Sequence, residues 1–141
     1  MNDPPARQAS QASMAAVEAG DRAAWLALFA PDAVIEDPIG VSVLDPTGQG
    51  HRGTAAIAAF WDHTIASGTI RFAIRESYAA GDEVANVGTI TTTFPDGNAV
   101  AVDGVFTYRV DDDGLIQIGR ASCWASVLGG GGGGGWGGGG G

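Results

Sequence analysis

The chain has 141 residues with sixteen acidic and seven basic side chains, which gives a formal net charge of −9 at pH 7. The basic residues are all arginines and are scattered along the chain, so nucleic acid is not an expected partner. No apolar run approaches the roughly 18 residues of a membrane-spanning helix, and the polar start of the chain does not resemble a signal peptide. We therefore expect a cytoplasmic protein without a membrane partner.

The end of the chain differs in composition from the rest. Residues 129–141 are glycine except for Trp136. Glycine loses the most backbone entropy on ordering and has no side chain to bury, so we interpret this tail as a linker, a tag or residues of unassigned identity. Residues 1–128 are enough for one domain with a hydrophobic core. The single cysteine, Cys123, excludes an internal disulfide.

The first part of the chain has a helical pattern. Residues 7–19 are rich in Ala, Gln and Glu and predict a first helix. Asp21 is predicted to cap a second helix, whose apolar face includes Trp25 and Phe29 and which ends at Pro31. The sequence therefore predicts two helices before the first strand.

A short strand is predicted at residues 33–37, before Pro38. Side chains alternate between the faces of a strand, so Ala33, Ile35 and Asp37 share one face. A carboxylate thus joins an apolar row at the end of this strand.

The remainder predicts one helix and then a sheet. Thr54 opens a third helix, and hairpin signals rich in Gly and Asp separate four long strands. We place these strands at residues 70–78, 83–94, 99–110 and 115–127. The predicted fold is α+β, with one strongly curved antiparallel sheet folded against three helices.

Two segments carry a resemblance to a known group of proteins. They are LFAPDAVIEDPIG at residues 28–40 and HRGTAAIAAFW at residues 51–61. With the order of elements, they resemble the cone-shaped fold of ketosteroid isomerases, nuclear transport factor two and SnoaL-type polyketide cyclases. The resemblance extends to about Leu128. The motif EDPIG at residues 36–40 favours the isomerase branch.

The resemblance implies that Asp37 is a general base. Such a group takes a proton from the carbon beside a carbonyl and returns it to a nearby carbon. An apolar pocket raises the pKa of a carboxyl group and so makes the carboxylate more basic. By itself, the position of Asp37 before a proline also fits a strand-end residue that accepts a hydrogen bond in a turn. The longer resemblance favours catalysis.

The isomerases also bind the enolate oxygen, through a Tyr on the first helix and a protonated Asp on the third long strand. The matching positions are Ser13, beside Met14, and Phe106. Asp103 is a second catalytic candidate, because a β-bulge at Gly104 would turn it towards the same face as Phe106. Without a bulge, Asp103 faces solvent or bonds within the sheet.

The predicted ligand is a hydrophobic, steroid-like small molecule. We expect it to contact Ser13, Met14, Phe60, Trp61, Phe106, Tyr108 and Trp124. No cofactor is expected, and His51 and His63 lack a recognised metal-ligand spacing, so we expect no metal. The resemblance also implies a homodimer formed through the outer face of the sheet.

Two alternatives to an isomerase stay open. One is a binding or dimeric assembly module that uses the apolar cone without catalysis. The other is a cyclase or hydrolase of the SnoaL type, which would need further polar groups in the cone.

Overall fold

The computed structural model describes residues 3–128, with side chains up to residue 122. The predicted tail, residues 129–141, and the side chain of Trp124 lie outside the described residues. Within these residues the helices are α1 Pro5–Ala19, α2 Arg22–Leu26 and α3 Gly53–His63. The strands are β1 Phe29–Glu36, β2 His51–Arg52, β3 Thr69–Ala80, β4 Glu83–Thr93, β5 Ala99–Val110 and β6 Ile116–Leu128.

The strands form one curved, unclosed sheet in the order β2-β1-β6-β5-β4-β3. Neighbouring strands are antiparallel except for β1 and β6, which run parallel. The helices pack against the concave face, where the main core cluster lies. This architecture confirms the predicted α+β cone fold.

Helix α1 lies across the concave face because one side of it is small and buried. Ala6, Ala9, Ser13 and Ala16 recur at helical spacing and are each less than a tenth exposed. The helix ends where Gly20 adopts a left-handed backbone conformation, with φ of 69°. This placement brings Ser13 against the floor of the cone.

The second helix is shorter than predicted. Asp21 caps it as expected, since its carboxylate accepts the Ala24 amide at 3.1 Å. However, α2 ends at Leu26, and Phe29 is already in β1, so the predicted helical role of Phe29 was wrong. The Leu28 carbonyl accepts the Ile116 amide at 2.8 Å, which ties this segment to β6. Pairing with a distant strand overrides the local helical spacing.

The other elements agree with the prediction to within a few residues, and β5 has the predicted bounds. Strand β2 was not predicted, because two residues carry no periodicity. Among the described residues, no helix combines the length and the apolarity that spanning a membrane requires.

Candidate active site

Strand β1 places Asp37 at the floor of a cavity. Ala33 and Ile35 are buried, and Asp37 follows them in the same alternation just past the end of the strand. The Ile39 amide donates to the Ala121 carbonyl at 2.9 Å, which fixes this segment beside β6. Asp37 lines a cavity of about 530 Å³, here called the cone cavity.

The cone cavity changes the acidity of Asp37. Burial raises the pKa of its carboxyl group from 3.8 to about 6. No side chain or amide of the described residues donates a hydrogen bond to this carboxyl group. Asp37 is therefore mostly ionised at pH 7, yet is a stronger base than an aspartate in water.

Most of the predicted ligand contacts line the cone cavity, namely Ser13, Met14, Phe60, Phe106 and Tyr108. Trp61 does not line it. Trp61 is only 5% exposed and packs against Trp25, with ring centroids 5.2 Å apart. Adjacent helical residues face different ways, so α3 can direct Phe60 into the cavity but not Trp61 as well.

Asp103 lies on the convex face of the sheet. The pairing of β4 with β5 runs without a break through Gly104, so the bulge considered in the sequence analysis is absent there. The Asp103 side chain is exposed and accepts a hydrogen bond from Thr89. Phe106, three residues later, faces the cavity instead. The structure therefore separates Asp103 from Asp37.

Three polar side chains, Trp25, Ser13 and Tyr108, line the cone cavity together with Asp37. The Trp25 indole Nε1–H donates to Ser13 Oγ at 3.1 Å, and Ser13 is only 3% exposed. The Tyr108 hydroxyl lies close enough to Ser13 for the serine to affect its pKa. Burial raises the pKa of Tyr108, the Ser13 hydroxyl opposes this, and the charge of Asp37 adds to the increase. The sequence predicted that Ser13 and Tyr108 contact the ligand, but not that they lie next to each other.

A buried aspartate holds the loop at the mouth of the cavity. Asp45 accepts the Gly50 amide at 2.7 Å and the Thr47 hydroxyl at 2.9 Å. These hydrogen bonds lower the pKa of Asp45, and the bond from the Gly50 amide has the largest effect. The same loop places Val43 and Leu44 on the cavity wall. The sequence offered no periodicity from which these two contacts could be predicted.

The two histidines do not form a metal centre. His51 lies beside the Phe60 ring, with centroids 4.8 Å apart, whereas His63 lines the cavity at the end of α3. No cluster of three or more His, Cys, Asp or Glu side chains suited to a metal ion occurs in the part of the chain that is described.

Most of the chain matches the model of one protein family. Residues 10–118 match the model of the SnoaL-like domain. The chain belongs to the SnoaL-like family. No curated protein matches this SnoaL-like chain.

Several solved structures resemble this SnoaL-like protein closely. The Δ5-3-ketosteroid isomerase from Mycobacterium sp. is 43% identical with a TM-score of 0.85, over 89% of this chain and 100% of that one. RV0760c from Mycobacterium tuberculosis, in complex with estradiol-17beta-hemisuccinate, is 42% identical with a TM-score of 0.83, over 88% and 99%. A computationally designed 17-OHP binder is 39% identical with a TM-score of 0.86, over 90% and 99%.

Proposed function

We propose that this SnoaL-like protein is a ketosteroid isomerase-like enzyme that moves a proton α to a carbonyl of a steroid. The observation that carries the proposal is Asp37, a carboxylate with a pKa of about 6 on the floor of an apolar cavity. A base of this kind remains ionised at neutral pH and gains basicity from its surroundings.

The size and lining of the cone cavity support a steroid as the ligand. Its volume of about 530 Å³ lies within the range of sites for drug-sized molecules. Its walls include the aromatic rings of Phe60, Phe72 and Phe106. Similar structures, at 39–43% identity, carry names that refer to a ketosteroid isomerase and to steroid ligands.

The reaction needs one group that both takes and returns a proton. The Asp37 carboxylate forms an O–H bond with the proton on the carbon beside the carbonyl. The electron pair of the broken C–H bond forms a C=C bond to the carbonyl carbon, and the π pair of the carbonyl moves to its oxygen, which gives the enolate. The same carboxyl group then returns the proton to the γ-carbon, which regenerates the carbonyl and shifts the double bond into conjugation with it. Atoms and charge balance without a cofactor.

A direct test supplies a Δ5-3-ketosteroid and follows the ultraviolet absorbance of the conjugated enone product. Asp37→Asn keeps the shape of the side chain but removes the base, so kcat/KM should fall by about 10²–10⁴. Asp103→Asn is the matched control, since Asp103 lies on the convex face, and it should retain activity within about twofold. Equal rates for wild type and Asp37→Asn would exclude this function.

A steroid-binding module without catalysis is the second candidate. Ser13 favours it, because a serine on α1 is shorter than the tyrosine that binds the enolate oxygen in the isomerases. Under this alternative, the protein binds the ketosteroid but gives no enone above the Asp37→Asn background. The cyclase alternative has weaker support, since the SalBIII epoxide hydrolase/cyclase-like enzyme shares 20% identity and thus the fold alone. The homodimer and the cytoplasmic location stay predictions.

A further inference from the structure

The short side chain at position 13 leaves space that a longer side chain from the sheet reaches. Ser13 lies on α1 above the concave face, close enough to the hydroxyl of Tyr108 from β5 to lower the pKa of that phenol. Ser13, Tyr108 and Asp37 all line the cone cavity. A phenol group therefore stands near the base even though no tyrosine occurs on α1.

The sheet directs Tyr108 towards Asp37. Tyr108 pairs with Gly119 of β6, and Gly119 pairs with Ile35 of β1, two residues before Asp37. The Tyr108 ring carbons Cε1 and Cδ1 lie 3.5 and 3.6 Å from the position that a Cβ atom at Gly119 would occupy. The ring thus lies over Gly119 of β6, a position without a side chain, between β5 and β1, which ends just before Asp37.

The donors around Ser13 leave the Tyr108 hydroxyl proton for a ligand. The Trp25 indole can only donate, so it uses an acceptor site of Ser13 Oγ. The Ser13 hydroxyl can then donate to the Tyr108 oxygen, which leaves the Tyr108 O–H for a ligand. Asp37 does not take this proton, since no hydrogen bond joins it to a described residue.

We propose that the Tyr108 hydroxyl donates to the carbonyl oxygen of the substrate and stabilises the enolate, with Ser13 and Trp25 as residues that position it. This inference rests on the proposed function, because the enolate is formed by Asp37. It assigns to β5 the role that the isomerases give to a tyrosine on the first helix.

A binding experiment tests Tyr108 without requiring turnover. In the Asp37→Asn background, a series of substituted phenols and equilenin mimics the enolate, and affinity should increase as the phenol becomes more acidic. Adding Tyr108→Phe should lower the affinity for equilenin by about 10- to 100-fold, as expected for a hydrogen bond to a charged group, and should flatten the dependence on acidity. Tyr78→Phe is the matched control, because Tyr78 is 62% exposed, and it should change neither.

Kinetics test the same residue during the reaction. Tyr108→Phe in the otherwise wild-type chain should lower kcat by about 10²–10³ with little change in KM, as for loss of one oxyanion donor. Ser13→Ala should give a smaller loss and a shallower dependence on phenol acidity, and Ser13→Thr, which keeps the hydroxyl, should restore both.

The outcomes separate this inference from the proposed function. If Asp37→Asn abolishes isomerisation but Tyr108→Phe leaves kcat and the phenol dependence unchanged, the role of Tyr108 is wrong and the isomerase stands. If wild type shows no isomerisation, the equilenin comparison still decides whether Tyr108 binds an oxyanion. Unchanged equilenin affinity in Asp37→Asn/Tyr108→Phe overturns the inference in either case.

Discussion

The two faces of strand β5 differ in what surrounds them, although their residues alternate along one strand. Phe106 and Tyr108 face the cone cavity, where burial raises the pKa of nearby Asp37 to about 6. Asp103 and Val105 point to the convex face, where Asp103 is exposed and bonds to Thr89. Asp37 and Asp103 therefore differ in their exposure to solvent. Mutations on the two faces should differ accordingly.

The largest expected contrast is in packing. Phe106→Ala removes a ring that is 5% exposed and should lower the free energy of unfolding by about 3–5 kcal/mol. Val105→Ala, on the convex face at 38% exposure, should lower it by about 1 kcal/mol or less. Urea denaturation of both variants measures the difference. Equal losses would mean that the two faces are not distinguished by burial.

The next contrast concerns the stability effect of the two aspartates. The pKa of Asp37 is raised in the folded state, so the native protein holds a proton that the unfolded chain has released, and stability falls as pH rises from about 4 to about 6. Above pH 6 this amounts to about 2–3 kcal/mol. Asp37→Asn should raise the free energy of unfolding by that order at pH 7.5, and by about half as much at pH 5. Asp103→Asn, at an exposed position, should change the free energy of unfolding by about 0.5 kcal/mol or less at pH 7.5.

The activity should depend on pH through the same group. A general base must be ionised, so kcat/KM should rise about tenfold per pH unit below pH 6 and level off above it. A pH–rate profile for the Δ5-3-ketosteroid measures the midpoint in the free enzyme. The Asp103→Asn variant should keep this midpoint, and a midpoint near pH 4 would contradict the effect of burial on Asp37.

The smallest effect is expected for the hydrogen bonds of the convex face. Arg75 donates to the Thr89 hydroxyl at 2.8 Å, and Thr89 bonds to Asp103. Thr89→Val removes both hydrogen bonds, whose partners Arg75 and Asp103 are exposed, and substitutions of this kind at the surface have small effects on stability. The free energy of unfolding should change by about 0.5 kcal/mol or less in urea denaturation. A loss above about 2 kcal/mol would show that these hydrogen bonds of the convex face contribute substantially to stability.

Much of the fold could be predicted because its signals are local. Alternating apolar residues and the Gly- and Asp-rich turns gave β3 to β6 within a few residues, and the same alternation placed Asp37 on the concave side. The end of α2 could not be predicted, since Phe29 joins β1 through pairing with β6, far along the chain. Local patterns do not contain that pairing.

The candidate site was harder to predict than the fold. Phe60 follows from helical periodicity, and Phe106 from the resemblance of its strand to a strand of the isomerases. Tyr108 lies two residues later, on the same face. To predict that Trp61 does not line the cavity, one would need to know which of the neighbours on α3 faces the core. To predict that Asp103 points away from the cavity, one would need to know that β5 is continuous through Gly104. Proximities such as that of Ser13 to Tyr108 arise only when α1 is laid across the sheet.

The parallel pairing of β1 with β6 has a consequence for biosynthesis. β6 also pairs with β5, so the last of the six described strands to be synthesised sits between β5 and β1, the first of them. The surroundings of Asp37 are completed by Gly119 and Ala121 of this late strand. A nascent chain whose β6 is still inside the ribosome has its base but no complete cavity around it, so it can bind the ligand only after β6 has emerged.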